Sequence, residues 1–133
     1  MLIPAEHWTD GIRVEPNGCW SHGNRIHSTG YHRISIGGRL FRAHRVMYEW
    51  LVGLIPAGLV IDHLCRNRAC LNTAHMEPVT HGTNKLRGVS PPAVNARKTH
   101  CVNGHEFTPE NTRINKHGRR CRTCHRERMA RYN

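Results

Sequence analysis

Six cysteines constrain this chain more than any other feature. Three lie before residue 88 and three after residue 97, and each set has a histidine at metal-ligand spacing. Cys65, Cys70 and His75 read C-x4-C-x4-H, while Cys101, His105, Cys121 and Cys124 read C-x3-H-x15-C-x2-C. A closed structural zinc takes four ligands, preferably thiolate and imidazole. The second set is complete, and its C-x2-C knuckle with a distant C-x3-H partner is a zinc-ribbon or knuckle pattern. His100 and His125 lie beside its ligands and rank below them. The first set lacks one ligand. Cys19, the remaining cysteine outside the C-terminal unit, is the expected fourth, with His22 and His27 as alternatives.

Length makes those metals matter. A chain of 133 residues holds one small domain with an appendage, and the core it buries is limited. Beyond Thr99 the aromatic residues are Phe107 and Tyr132, too few for a stable core, so metal explains folding there better than packing does. Twenty lysines and arginines stand against nine acids, a formal charge of +11. Six thiolates and two zinc ions would leave roughly +9. A field of that size favours nucleic acid as partner over an anionic membrane. No apolar run approaches the ~18–20 residues of a membrane span. The segment MLIPAEHWTDG lacks the basic and apolar regions of a signal peptide. The expected location is the cytoplasm, where cysteines serve as metal ligands more often than as disulfides.

Taken in order, Trp8 and Ile12 are expected to pack on the core, and Pro16-Asn17-Gly18 marks a turn. Alternation predicts strands from Tyr31 to Ile36 and from Arg39 to Phe41, joined by Gly37-Gly38. In the following RAHRVMYEWLVG, Ala43, Val46, Met47, Trp50 and Leu51 share one helical face, and Gly53 and Pro56 end the helix. Val60 and Ile61 begin a short strand that runs into Asp62 and His63. Met76 to Val79 reads as a second strand, and Thr80 or Thr83 caps a helix carrying Asn84. Residues 89–96, with two prolines and little apolar pattern, read as a linker between a domain at 1–88 and a zinc module at 97–133.

The stretch VIDHLCRNRACLNTAHMEPVTHGTNKLRG places an acid–histidine pair, metal ligands and a late asparagine in strand, loop, strand and helix order. It resembles the HNH, or ββα-metal, nucleases. The resemblance is closest to their zinc-bearing branch, the His-Cys box homing endonucleases, and to the small HNH endonucleases of bacteriophages. It is strongest over residues 17–88. The asparagine in the middle of the family's name falls near His75, where this chain has a zinc ligand instead, as the zinc-bearing branch does. That branch also draws a cysteine from far upstream, in line with Cys19.

The resemblance implies an α+β fold: a small zinc-stabilised ββα-metal core with a C-terminal zinc module. It implies His63 as general base, and Asp62 and Asn84 as hard-oxygen ligands for one catalytic Mg²⁺ or Mn²⁺. Adjacent strand residues face opposite ways, so Asp62 and His63 converge only where the strand ends or bulges. Asp62 has a second reading, the orientation of a neighbour. Arg33 is a candidate clamp on the cleaved phosphate, and His44-Arg45 could act there or be buried in the core. Arg39, Arg42, Arg66, Arg68, Lys85, Arg87, Arg119, Arg120 and Arg122 are expected DNA contacts. Asn67, Asn72 and His81 read as loop braces. The function implied is a metal-dependent DNA endonuclease, monomer or homodimer, acting on double-stranded DNA. The alternative is a zinc-stabilised DNA-binding protein of phage origin without catalysis. A regulator has no need of Asp62, His63 and Asn84 together.

Overall fold

The computed structural model describes residues 9–23 and 26–132, so Trp8 lies outside the described residues. The chain divides into two compact units, Met1–Gly88 and Val89–Asn133. Among the described residues no helix is long and apolar enough to cross a membrane.

The described residues of the first unit form three antiparallel hairpins and two α-helices. Strands β1 (Ile12–Val14) and β2 (Trp20–His22) pair with Val14 opposite Trp20. Strands β3 (Arg33–Ile36) and β4 (Arg39–Arg42) form the expected glycine hairpin. Gly37 and Gly38 have φ of 55° and 77°, the left-handed pair that matches strand twist in a two-residue turn. Helix α1 (Ala43–Leu51) follows directly. It buries Ala43, Val46 and Met47 against Ile34 and Leu71, with Ile12, Trp20 and Ile36 packed around them. Trp50 and Leu51, expected on the same face, are exposed by 45% and 48%. The core is too short to reach the last turn of the helix.

Strands β5 (Val60–His63) and β6 (Met76–Val79) pair without a bulge, Asp62 opposite Glu77 and His63 opposite Met76. Helix α2 (His81–Arg87) begins at Thr80, whose hydroxyl accepts the Thr83 N–H at 3.1 Å. Lys85 and Arg87 fall in its last turn, where the helix dipole favours cations. This is a ββα unit, and α2 packs on β5.

The second unit opens with helix α3 (Pro91–Arg97), where a linker was expected. The prolines occupy the first helical positions, which have no intrahelical partner for an N–H, and their fixed φ suits the helix. Strands β7 (Thr112–Asn115) and β8 (Gly118–Cys121) then form a hairpin, and Cys121 caps helix α4 (Arg122–Ala130).

Candidate active site and metal centres

The loop between β5 and β6 is folded around its thiols. Donor atoms of Cys19, Cys65, Cys70 and His75 all lie within 4.8 Å of one another. His75 Nδ1 is 3.7 Å from Cys19 Sγ and 3.6 Å from Cys70 Sγ. A zinc tetrahedron with Zn–S about 2.3 Å and Zn–N about 2.0 Å has edges of roughly 3.5–3.8 Å, so the donors have the right mutual spacing. Burial pushes the Cys70 thiol up to about 12, a cost that a bound cation would reverse. The set could hold zinc. The alternative fourth ligands are engaged elsewhere: the His22 ring meets His32 edge-on, and His27 Nδ1 lies 3.1 Å from Thr29 Oγ1.

Backbone and side-chain bonds set this cluster. Asn72 donates to the Gly18 carbonyl at 2.7 Å and accepts the Ala74 N–H, which closes the short helical turn Thr73–His75. Asn67 accepts the Ala69 N–H at 3.0 Å. Leu71, between two cluster residues, inserts into the core beneath α1 and takes the Trp20 carbonyl at 2.9 Å. Leu71 and Trp20, each next in sequence to a cluster cysteine, therefore join the Cys/His cluster to the apolar core.

His63, the last residue of β5, is 5% exposed. Its Nε2 lies 3.2 Å from the Cys70 carbonyl oxygen, an acceptor, so Nε2 carries the proton and donates. In the neutral ring Nδ1 then holds the lone pair. Burial lowers the pKa of His63, with Arg66 and Arg68 adding to the effect; the Cys70 bond and the Asp62 charge oppose it. The ring is thus held neutral with a defined tautomer, as a general base requires. Its neighbours are Tyr31, with ring centroids 6.0 Å apart, and His44, edge-on at 4.9 Å. His44 is 3% exposed, and burial, with the charges of His63, Arg42 and Arg45, lowers its pKa to about 3.

Because β5 is regular through its end, Asp62 turns away from the Tyr31–His44 group. The Asp62 side chain is 2% exposed, and Oδ1 accepts from Arg66 at 2.8 Å. Oδ2 stands 3.5 Å from Arg87 of α2, outside hydrogen-bond geometry, and is buried without a hydrogen-bond partner among the described residues. Ion-paired with Arg87 but accepting no hydrogen bond among the described residues, that hard oxygen suits a divalent cation, as does the amide of half-buried Asn84 on α2. Arg66, at φ 60°, is the one non-glycine residue in the left-handed region among those described, and Asp62 holds its side chain. Arg87 also pairs with Glu77. Two arginines expected on DNA are thereby tied, in part, to acids of the domain itself.

Arg33 is exposed and sits opposite Arg42 in the β3–β4 register. The guanidiniums found beside the His63 group are those of Arg42 and Arg68, 5.1 and 5.8 Å from the Tyr31 ring centre. Tyr31 had no functional reading in the sequence, because a ring contact across two hairpins leaves no spacing signal. Arg39 and Lys85 are exposed.

In the second unit, donors of Cys101, His105, Cys121 and Cys124 also lie within 4.8 Å. Cys101 Sγ is 3.5 Å from Cys124 Sγ and 3.6 Å from His105 Nδ1, again the spacing of a zinc tetrahedron. The Cys124 N–H, with further help from Asn111, draws the Cys121 thiol down to about 6. Glu127 stands 3.5 Å from His105 Nε2 and leaves Nδ1 toward the sulfurs. Arg119, expected on DNA, serves the fold: it stacks 4.1 Å from Phe107 and donates to the Asn95 and Lys98 carbonyls at 2.6 and 2.7 Å. Arg120 and Arg122 remain exposed.

A zinc-capable loop inside a ββα unit, with a tautomer-locked histidine ending its first strand, is the arrangement that a resemblance to the ββα-metal nucleases implies. Residues 41–86, from β4 into α2, match the family model described as HNH endonuclease. Over 66 residues it is 39% identical to Protein 7.7 of Escherichia phage T7, a stretch covering 50% of this chain and 47% of that protein. It is 40% identical over 65 residues to the uncharacterized gene 5.3 protein of Enterobacteria phage T3, covering 44% of this chain and 62% of that one. The chain thus spans about half to three-fifths of the length of these relatives. No solved structure matches it.

Proposed function

We propose that this protein is a divalent-metal-dependent endonuclease that hydrolyses phosphodiester bonds of double-stranded DNA in the cytoplasm of a bacterial host. The observation that carries the reading is the hydrogen bond from His63 Nε2 to the Cys70 carbonyl, which leaves Nδ1 as a base at the end of a ββα strand. His63 takes the proton of a water whose oxygen bonds to phosphorus, and the bond from phosphorus to the 3′ oxygen breaks. Asp62 through Oδ2 and Asn84 would hold Mg²⁺ or Mn²⁺, which when bound neutralises the charge of the departing oxygen. Arg42 and Arg68, gathered on Tyr31 beside His63, are better placed than Arg33 to brace the phosphate. The two Cys/His clusters take structural zinc, and the second unit forms a separate DNA-contacting module. One such site cuts one strand, so a monomer nicks and a homodimer cuts both.

The test is cleavage of supercoiled plasmid with Mg²⁺ or Mn²⁺ by the native protein and by His63→Ala. Loss of a general base should slow cleavage by about 10²–10⁴-fold, with zinc content and far-UV circular dichroism unchanged. Undiminished cleavage by His63→Ala removes the assignment. No metal-dependent product from the native protein would favour a zinc-stabilised DNA-binding protein.

A further inference from the structure

Between β7 and α4 lies a cleft of about 520 Å³ lined by Glu110, Arg113, Arg122, His125 and Arg126. Three guanidiniums and an imidazole thus face one carboxylate. Unlike Arg66 and Arg87, the three arginines make no salt bridge among the described residues. Two of them are positioned by the module. Arg122 donates through Nε to the Thr112 carbonyl at 3.4 Å, and Arg126 to Thr123 Oγ1 at 3.2 Å. Asn111 ties the loop that carries Glu110 to α4, accepting from the Thr123 N–H at 2.9 Å and the Thr123 hydroxyl at 2.8 Å. Asn111 also donates to Cys121 Sγ at 3.4 Å, so the cleft is anchored on the Cys/His cluster.

Such a cavity is too polar for an apolar ligand and is wide enough for a phosphate with its flanking sugars. Guanidiniums converging from a strand and a helix suit phosphate oxygens, which accept paired N–H donors. From this geometry we infer that the cleft is a phosphodiester-binding site of the zinc module, gripping the DNA backbone through Arg113, Arg122 and Arg126 at a place separate from the catalytic histidine. Glu110 limits the strength of that grip by repelling the phosphate. The inference rests on the DNA reading above. It adds a defined second contact, blind to base sequence, which raises affinity in a salt-dependent way.

The test uses the full chain carrying His63→Ala, zinc-loaded and without Mg²⁺, with binding to a fluorescent DNA duplex followed by anisotropy from 50 to 300 mM NaCl. The Arg113→Ala/Arg122→Ala/Arg126→Ala variant should bind roughly 100-fold more weakly near physiological salt, and the slope of log K against log[salt] should fall by about 2.7, as for three lost phosphate contacts. Glu110→Gln should change affinity in the opposite direction, tightening binding several-fold. If the triple variant loses zinc, Glu110→Gln decides alone. Unchanged affinity and slope in both variants, as would follow from a cleft serving only free phosphate, overturn the inference while plasmid cleavage still supports the nuclease reading. Failure of the His63→Ala parent itself to bind the duplex would overturn both.

Discussion

His44 offers a stability test that does not depend on activity. It is buried beneath Tyr31, edge-on to His63, with Arg42 and Arg45 the other charges that act on it. Its Nδ1 is buried without a hydrogen-bond partner among the described residues. Burial lowers its pKa from 6.5 to about 3. An unfolded chain therefore takes up a proton at this residue as pH falls below 6.5, while the native protein does not until near 3. Stability is complete above the unfolded value and is lost as pH falls, by about 1.4 kcal/mol per unit. Between pH 6.5 and pH 5 the loss at His44 is about 2 kcal/mol. In His44→Leu it should vanish, and removal of the orphaned nitrogen should leave stability at pH 7.5 unchanged or up to about 1 kcal/mol higher. Urea unfolding of both proteins at pH 7.5 and 5.0 measures this, because acid loss of zinc is common to both and cancels in the difference. A gap between the two proteins that does not widen by about 2 kcal/mol at pH 5.0 would refute the reading of His44 as a buried neutral imidazole.

The other predictions follow from single contacts. Cys19→Ser should reduce zinc, measured by atomic absorption, from two ions per chain toward one, with the thiolate charge-transfer band of the cobalt-substituted protein falling in proportion; unchanged stoichiometry would remove Cys19 from the cluster. Arg119→Ala gives up two short bonds to α3 and the stacking on Phe107, a local loss of about 2–3 kcal/mol. Hydrogen exchange of the α3 amides should accelerate accordingly while the Cys/His cluster keeps its metal. Gly18→Ala places a Cβ at φ 78° and 3.4 Å from His75 Cε1, so thermal unfolding should occur several degrees lower, by about 1–2 kcal/mol.

The two Cys/His clusters that could hold zinc were legible in the chain because zinc accepts few residue types at restricted spacings, and Cys70 and His75 are close in sequence. The glycine hairpin was equally readable, since two adjacent glycines permit a turn that other residues resist. Reading became harder where a residue's role depends on partners far away in the chain. Arg119 looks like any surface arginine until the C-terminal end of α3 and Phe107 are found beside it. The prolines at residues 91 and 92 have two local meanings, breaker or helix start, and only the helix that follows chooses between them.

By itself, then, the sequence determined the ββα order, the cysteine–histidine clusters and the candidate base, because each is a matter of residue type and short-range spacing. Tertiary structure decided how they are used. An unbulged β5 sends Asp62 to Arg66 and Arg87, and His63 to Tyr31 and His44. The carbonyl that fixes the His63 tautomer belongs to Cys70, so the loop that gathers the thiols also orients the His63 ring. That coupling depends on two hydrogen-bonding atoms meeting across a folded loop, and no pattern of residue types encodes it.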